Sequence, residues 1–360
     1  MEDQPLNNEE INETLEAVFD LEGVEHETVE KYRPQFLDKG GEQIVYEVPD
    51  HPDIVAKVNV ESLKGIIDWN IHHGKAPNSF SEEIKQRAEK ILREEMRRCQ
   101  ELRTYFGSEH IPKQKQYLIQ VPLTPEILDE LYDNNPPIMT DAAWSITTIQ
   151  ERIDEIRDPS RLALVGGYTE KIQQPLENYS RVTEHLVFGK DLEEKLTRDE
   201  FLQIQGNEDL KNLLEKSAGD LQLKTVLQEL IEKIILYTNN TGEILDLAGH
   251  DNIIMYLKDD AWSYTLVDAK YPGNNAIIES LKLSLEKLMN GPEIEEHDEN
   301  ILLNAFNYIR TVNGIAEQLD SKARIHVTPD ITDLKIDFQT LLRKNFQETT
   351  KTEESTTKVD

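Results

Sequence analysis

Apolar positions fall in short alternating runs early in the chain and recur at helical spacing farther on, and this change of period divides the sequence. Phe36 to Glu47 reads as a strand, a Gly40-Gly41 turn and a second strand with Ile44, Val45 and Tyr46; after a Pro49 to Pro52 turn, Ile54 to Val60 reads as a third. Together they predict an antiparallel meander. Ser79-Phe80-Ser81-Glu82 has the spelling of a capping box, and Ile84, Ala88, Ile91, Leu92, Met96, Cys99 and Leu102 follow at helical spacing. Two further strands fit Tyr117 to Pro122 and Trp144 to Ile149. From Glu151 to Gly219 the pattern is mixed, with Pro159, Gly166-Gly167 and Pro175 marking loops.

The second half is more regular. Leu221, Leu223, Val226, Leu227, Leu230, Ile231, Ile234, Ile235 and Tyr237 predict a long buried helix, stopped by Asn239-Asn240-Thr241-Gly242. A loop from Glu243 to Asn252 leads into two strands, Ile253 to Leu257 and Trp262 to Val267, around a Lys258-Asp259-Asp260 turn. Helices fit Asn275 to Met289, Glu299 to Leu319 and Asp333 to Phe346. The Thr-, Glu- and Lys-rich tail after Gln347 is expected to be disordered, and an acidic, weakly helical segment precedes the meander.

Charge narrows the classes of function. The 360 residues carry 39 Lys+Arg against 70 Asp+Glu, a net −31, which argues against a nucleic-acid surface and against a polybasic membrane anchor. At 38% hydrophobic there is material for a core, and the length suggests two domains. The one cysteine, Cys99, cannot form an internal disulfide and is expected to be a buried thiol. Met1 to Glu30 lacks a signal-peptide pattern and no run approaches a membrane span, so a cytoplasmic setting is expected. His72-His73 has no H-E-x-x-H or Cys partner and reads as a surface loop; there is no G-x-S-x-G. Glu193-Glu194 and Glu295-Glu296 read as solvated surface.

Three local features carry chemistry. A hairpin closed at Lys258-Asp259-Asp260 makes neighbours of Asn252 at its start and Asp268 at its finish, a hard-oxygen pair of the kind Mg²⁺ accepts; a polar hairpin end facing solvent is the alternative. Lys57 shares a strand face with Val55 and Asn59 amid apolar residues, and needs a carboxylate such as Glu95 or Glu94, a phosphate, or an edge position that reaches water. Lys39-Gly40-Gly41-Glu42 is a turn whose backbone N–H groups can approach a phosphate, or an ordinary hairpin.

In order along the chain, glycine hairpin, strand Lys, helix Glu, buried helix, Asp loop with Asn, hairpin and Asp, these pieces resemble the protein-kinase-like superfamily, which includes protein kinases and small-molecule kinases such as aminoglycoside phosphotransferases. The resemblance spans Tyr32 to Met289. Leu37-Asp38-Lys39-Gly40-Gly41-Glu42-Gln43-Ile44-Val45-Tyr46 resembles the glycine-rich loop, lacking one of the usual glycines. Val55-Ala56-Lys57-Val58 resembles the strand of the phosphate-binding lysine, with Val55 where adenine would pack. Leu266-Val267-Asp268-Ala269 resembles the metal-binding Asp segment.

The resemblance implies an α+β, bilobal protein-kinase-like fold: an acidic extension over 1–23, an antiparallel-sheet N-lobe over 24–150, a mainly helical C-lobe over 151–346 and a tail over 347–360. It implies ATP and Mg²⁺ as cofactors, bound between the lobes. Gly40, Gly41, Val55, Lys57, Glu95 and Gln150 would bind nucleotide, Asn252 and Asp268 would hold the metal, and Asp246 would act as base beside Lys57. Trp144 to Arg152 is expected to be the strand leading into the hinge, with Thr183 to Gly189 as the competing hinge. Asp246 lies six positions before Asn252 where the family spacing is five, and Ile244-Leu245 replaces the His that often precedes the Asp. Both an active phosphotransferase and a pseudokinase acting as a nucleotide-binding or interaction module therefore stay open. The short Ala269 to Asn274 link, with no Ala-Pro-Glu after it, implies a small-molecule or atypical protein acceptor.

Overall fold

The computed structural model of the chain describes residues 35–39, 43–48, 51–132, 140–153, 157–164, 176–189, 208–249, 252–268, 280–281, 283–284, 287 and 296–327. The architecture is α+β, in two units, Met1–Glu155 and Ile156–Asp360. Gly40-Gly41, the acidic N-terminal segment, the Asp333 to Phe346 helix and the tail lie outside the described residues, as does most of the Asn275 to Met289 helix.

Unit 1 begins with the meander. Strands β1 (Gln35–Lys39), β2 (Gln43–Val48) and β3 (His51–Asn59) pair antiparallel, with Ile44 opposite Val58 and Val45 opposite Lys57. The chain leaves β3 directly into helix α1 (Val60–His72), so Val60 is the first helical residue rather than the last of the strand. The cause is Asn59, whose side-chain oxygen accepts the Ser62 N–H at 2.7 Å and caps the helix. Leu63, Ile66, Ile67 and Asn70 form its buried stripe. His72 ends this helix and His73 caps it, stacked on Trp69 with ring centroids 4.0 Å apart; the pair marks a helix terminus, not the loop its sequence suggested.

Helix α2 (Glu82–Phe106) starts two residues later than the capping-box spelling implies. Ser81 is the cap, accepting the Ile84 N–H, while the Ser79 carbonyl is engaged by the Asn70 amide at 3.0 Å. Ile84, Ala88, Leu92, Cys99, Leu102 and Phe106 are buried along it, whereas Ile91 is exposed. Strand β4 (Gln114–Pro122), helix α3 (Pro125–Tyr132) and strand β5 (Ala142–Glu151) complete the unit. The strand order is β1-β2-β3-β5-β4, all antiparallel, so β3 is central.

The two sheet faces differ. Alternation places Ile44, Tyr46, Ile54, Ala56, Val58, Tyr117, Ile119, Val121 and Ile149 on one face, where they form a core with Leu63 and Ile67 of α1 and Ile127 and Leu131 of α3. The other face takes α2: Ala88 and Leu92 cluster with Leu118 and Ile146, and Gln114 Nε2 donates to Cys99 Sγ at 3.0 Å. Cys99 is a buried free thiol, as expected.

Unit 2 opens with a strand that the sequence did not announce. β6 (Arg157–Leu162) carries Pro159 within it, at a register shift between Arg157 and Ser160. Proline is tolerated there because β6 is the edge of a three-stranded sheet, β6-β7-β8, where a missing donor and an irregular ladder cost least. Helix α4 (Leu176–Phe188) buries Val182, Leu186 and Val187, so Thr183 to Phe188, the competing hinge segment, is helical. Helices α5 (Glu208–Ser217) and α6 (Leu221–Thr241) follow. Asp220 caps α6, and Gly242 ends it in the left-handed conformation at φ 72°. Leu221, at the very start, is 78% exposed and outside the buried stripe.

Strands β7 (Ile253–Lys258) and β8 (Ala261–Leu266) form the expected hairpin, and α7 (Glu296–Gln318) packs against α4 and α6. Asp259 and Asp260 both have positive φ, 51° and 60°, as a two-residue type I′ turn requires. Among the described residues no helix is long and apolar enough to cross a membrane. Because glycine bears the left-handed conformation at less cost than aspartate, Asp260→Gly should stabilise unit 2 by up to about 1 kcal/mol. A higher denaturant midpoint with unchanged slope would show it; a lower midpoint would contradict this turn.

Candidate functional site

Unit 2 builds its candidate site from the loop between α6 and β7. Tyr237 and Thr238 hold the end of α6, and the loop then alternates: Ile244, Leu245 and Leu247 are buried at about the same depth, while Asp246 is half-buried between them. Leu247 O accepts the Leu164 N–H at 2.8 Å, and the Tyr308 hydroxyl of α7 meets the Leu245 N–H at 3.4 Å and Thr238 Oγ1 at 3.3 Å. Tyr308 is fully enclosed, and burial pushes its phenol up to about 12, so it stays a neutral anchor. Three apolar roots and one phenol thus fix the backbone that presents Asp246.

The hairpin brings in the other two groups. Asn252 immediately precedes β7, and its carbonyl accepts the Val267 N–H at 2.9 Å, which closes the open end and sets Asp268 one residue beyond. Asn252 Nδ2 donates to the Asp246 carbonyl at 3.1 Å. Asp246 Oδ1 accepts the Ala248 N–H at 3.0 Å. Burial raises the Asp246 carboxyl above the ordinary range against these hydrogen bonds, and the nearby charge of Asp268 adds to the rise. The structure therefore brings Asp246, Asn252 and Asp268 together.

One residue of this site had no role in the sequence reading. A Cβ built on Gly249 would lie 2.5 Å from Asn252 Nδ2 and 2.7 Å from its Oδ1, so the amide lies flat on the glycine. The signal for it, a glycine three positions before the Asn, is too common in loops to stand out. His250 and Asp251 lie outside the described residues.

The donor set fits Mg²⁺. Asn252 donates its Nδ2 to the Asp246 carbonyl, which leaves its Oδ1 and the Asp268 carboxylate as the expected neutral and charged oxygen ligands. Mg²⁺ ordinarily takes one or two carboxylates and completes its shell with water and phosphate rather than with an all-protein cage. Among the described residues no group of three or more His, Cys, Asp or Glu could hold a metal ion.

Unit 1 holds the other predicted residues. Lys57 is half-buried on β3, opposite Val45 of β2 and Thr148 of β5; Val55, one row along, faces Gln150. Val55 and Gln150 are buried. Gln150 stands near the end of β5, three residues before the last described residue of unit 1, in the strand expected there. Glu94 and Glu95 separate clearly. Glu94 pairs with Arg97 at 2.7 Å and Arg98 at 3.3 Å on its own helix, and the Arg97 hydrogen bonds draw its carboxyl below the usual range. Glu95 lies three residues from Leu92 and four from Cys99, on the stripe that meets the sheet.

No family model, curated protein or solved structure matches this chain.

Two outcomes follow from the Asp246 loop. Gly249→Ala must displace the Asn252 amide, and overpacking of this kind costs about 1–3 kcal/mol; a denaturation midpoint equal to wild type would contradict the contact. A carboxyl raised by folding binds more protons folded than unfolded, so it costs stability as pH rises from the ordinary Asp range through its raised value. Asp246→Asn, which keeps an acceptor for Ala248, should therefore stabilise the protein more at neutral pH than below about pH 4, as read by thermal denaturation at both.

Proposed function

We propose that this chain is an ATP- and Mg²⁺-dependent phosphotransferase of the protein-kinase-like type, acting on a small-molecule or atypical protein acceptor. The observation that carries the reading is the convergence of Asp246, Asn252 and Asp268 at one end of the β7-β8 hairpin, with the Asp246 carboxyl raised. A base whose proton affinity is lifted toward the working pH is suited to receive a hydroxyl proton. Lys57 would bind the α- and β-phosphates, with Glu95 orienting it and Val55 packing against adenine. Gly40 and Gly41 would offer backbone N–H groups to phosphate, and Gln150 would lie near adenine. Asp268 and Asn252 would hold Mg²⁺, which supplies charge neutralisation of the phosphates when bound. Tyr308, Leu245 and Leu247 keep Asp246 in place throughout, so little reorganisation accompanies proton transfer.

A second reading has its own observation. Asp246 Oδ1 already accepts the Ala248 N–H and its carbonyl holds Asn252, in a loop one residue longer than the family spacing. A carboxylate so engaged suits a pseudokinase that binds nucleotide without transferring phosphate.

Millimolar ATP with Mg²⁺ should raise the thermal midpoint of wild type. Lys57→Met should weaken ATP binding at least about tenfold, which is about 1.4 kcal/mol, and Asp268→Asn should remove the Mg²⁺ dependence. No shift in wild type contradicts both readings. Radiolabelled phosphate transfer to a metabolite panel then separates them: the active reading expects transfer that falls about 10²-fold or more in Asp246→Asn, the pseudokinase reading expects none.

A further inference from the structure

Unit 2 holds a cavity of about 250 Å³ between the end of α4, the last turn of α7 and the segment that follows α7. Its apolar walls include Leu186, Val187 and Ile325, all buried. One residue fixes these walls. Asn313 of α7, 0% exposed, donates Nδ2 to Leu186 O at 2.7 Å and to Ile325 O at 3.2 Å, and its Oδ1 accepts the Ile325 N–H at 2.7 Å. Asn239 of α6 holds the neighbouring residues, donating to Arg324 O at 2.9 Å and accepting the His326 N–H at 3.1 Å. Backbone groups of successive residues thus turn to opposite sides, as in an extended strand, so the side chains of Arg324 and His326, two apart, share a side.

The polar groups of the cavity divide unevenly. Arg324, His185 and His326 line it against one carboxylate, Glu317, in a chain whose acids outnumber Lys and Arg by 70 to 39. That carboxylate is engaged: Glu317 Oε2 lies 3.2 Å from Arg324 Nη2 and 3.3 Å from His185 Nε2. So are four carbonyls, Leu186 O and Ile325 O with Asn313, and Ser321 O and Ala323 O with Arg324 Nη1 at 2.9 and 2.7 Å. Two donors are left over. Among the described residues neither Arg324 Nε nor the His326 ring has a hydrogen-bond partner. A guanidinium braced through both Nη atoms, with Nε still open, is preorganised to meet an anion.

We propose that this cavity binds a small organic carboxylate. The carboxylate accepts from Arg324 Nε and the His326 ring, and an apolar body packs against Leu186, Val187 and Ile325. The volume equals that of about eight waters at ~30 Å³ each, which suits a body the size of one aromatic ring on a short arm. Glu317 stands nine residues along α7 from Tyr308, about 13.5 Å from the anchor of the Asp246 loop. The proposal is therefore independent of whether the chain transfers phosphate.

Phenylacetate is the probe, titrated into the full chain by calorimetry and saturation-transfer NMR, with the neutral phenylacetamide and the cationic phenethylamine as controls. Wild type should bind phenylacetate saturably in the millimolar range, and both controls at least about tenfold more weakly. Arg324→Gln should weaken phenylacetate at least about tenfold and His326→Ala several-fold, while Val327→Phe, which fills the cavity, should abolish binding. Circular dichroism checks each variant. The His326 ring has no described partner to lose, so His326→Ala carries the test if Arg324→Gln, which also frees Glu317, fails to fold. Absence of saturable phenylacetate binding at ~20 mM, equal binding of phenylacetamide, or unchanged affinity in any folded variant overturns the proposal.

Discussion

A lysine on the central strand of a sheet that carries helices on both faces has to meet oxygen, and unit 1 is organised by that need. On the α1 and α3 side the sheet is mainly apolar and closes as a core, with Lys115, Thr147 and Ser145 buried in the same rows. On the α2 side the same strands carry Gln114, Gln116, Thr148, Gln150 and Lys57, an expensive composition to bury unless the groups answer one another. Helix α2 supplies both kinds of contact on one stripe: Ala88 and Leu92 for the apolar row and Cys99 for Gln114. Glu94 is taken by arginines of its own helix.

Unit 2 solves the opposite problem, holding carboxylates near one another. Asp246 and Asp268 repel, and the structure bears this because the loop is rooted by Ile244, Leu245 and Leu247 and pinned by Tyr308, while the hairpin fixes Asp268. Burial is the main cause of the raised Asp246 carboxyl, and the Asp268 charge adds a smaller part that a cation would relieve. Stability and proposed chemistry therefore pull in different directions at this loop, as is common where charge is gathered for function.

How much of this was legible depended on whether a signal was local. The β7-β8 hairpin was readable because alternation and an Asp-Asp turn agree, and its closure alone foretold that Asn252 and Asp268 would meet. Helices α2 and α6 announced themselves by period. Helix α1 did not, because the apolar run Ile54 to Val60 passes into it without a break and its cap, Asn59, sits inside that run. β6 was hidden because Arg157-Asp158-Pro159-Ser160-Arg161 has loop composition, and only its edge position makes it a strand. That Glu94 is taken by arginines of its own helix needed side-chain geometry. Gly249 and Tyr308 needed tertiary contacts, which leave no mark on neighbouring sequence.

With a net charge of −31, a polyanionic ligand is not drawn in by the whole protein, so local cations must work against the global field. The central proposal is that Lys57 meets the phosphates of a bound nucleotide. An ATP analogue bearing a reactive acyl group on its terminal phosphate tests it most directly, because it acylates lysines lying against bound phosphates. The account predicts that Lys57 is the principal labelled residue, that excess ATP blocks the labelling, and that it falls when Mg²⁺ is removed or Asp268 is changed to Asn. Labelling scattered over surface lysines, unaffected by ATP or by Asp268→Asn, would contradict it.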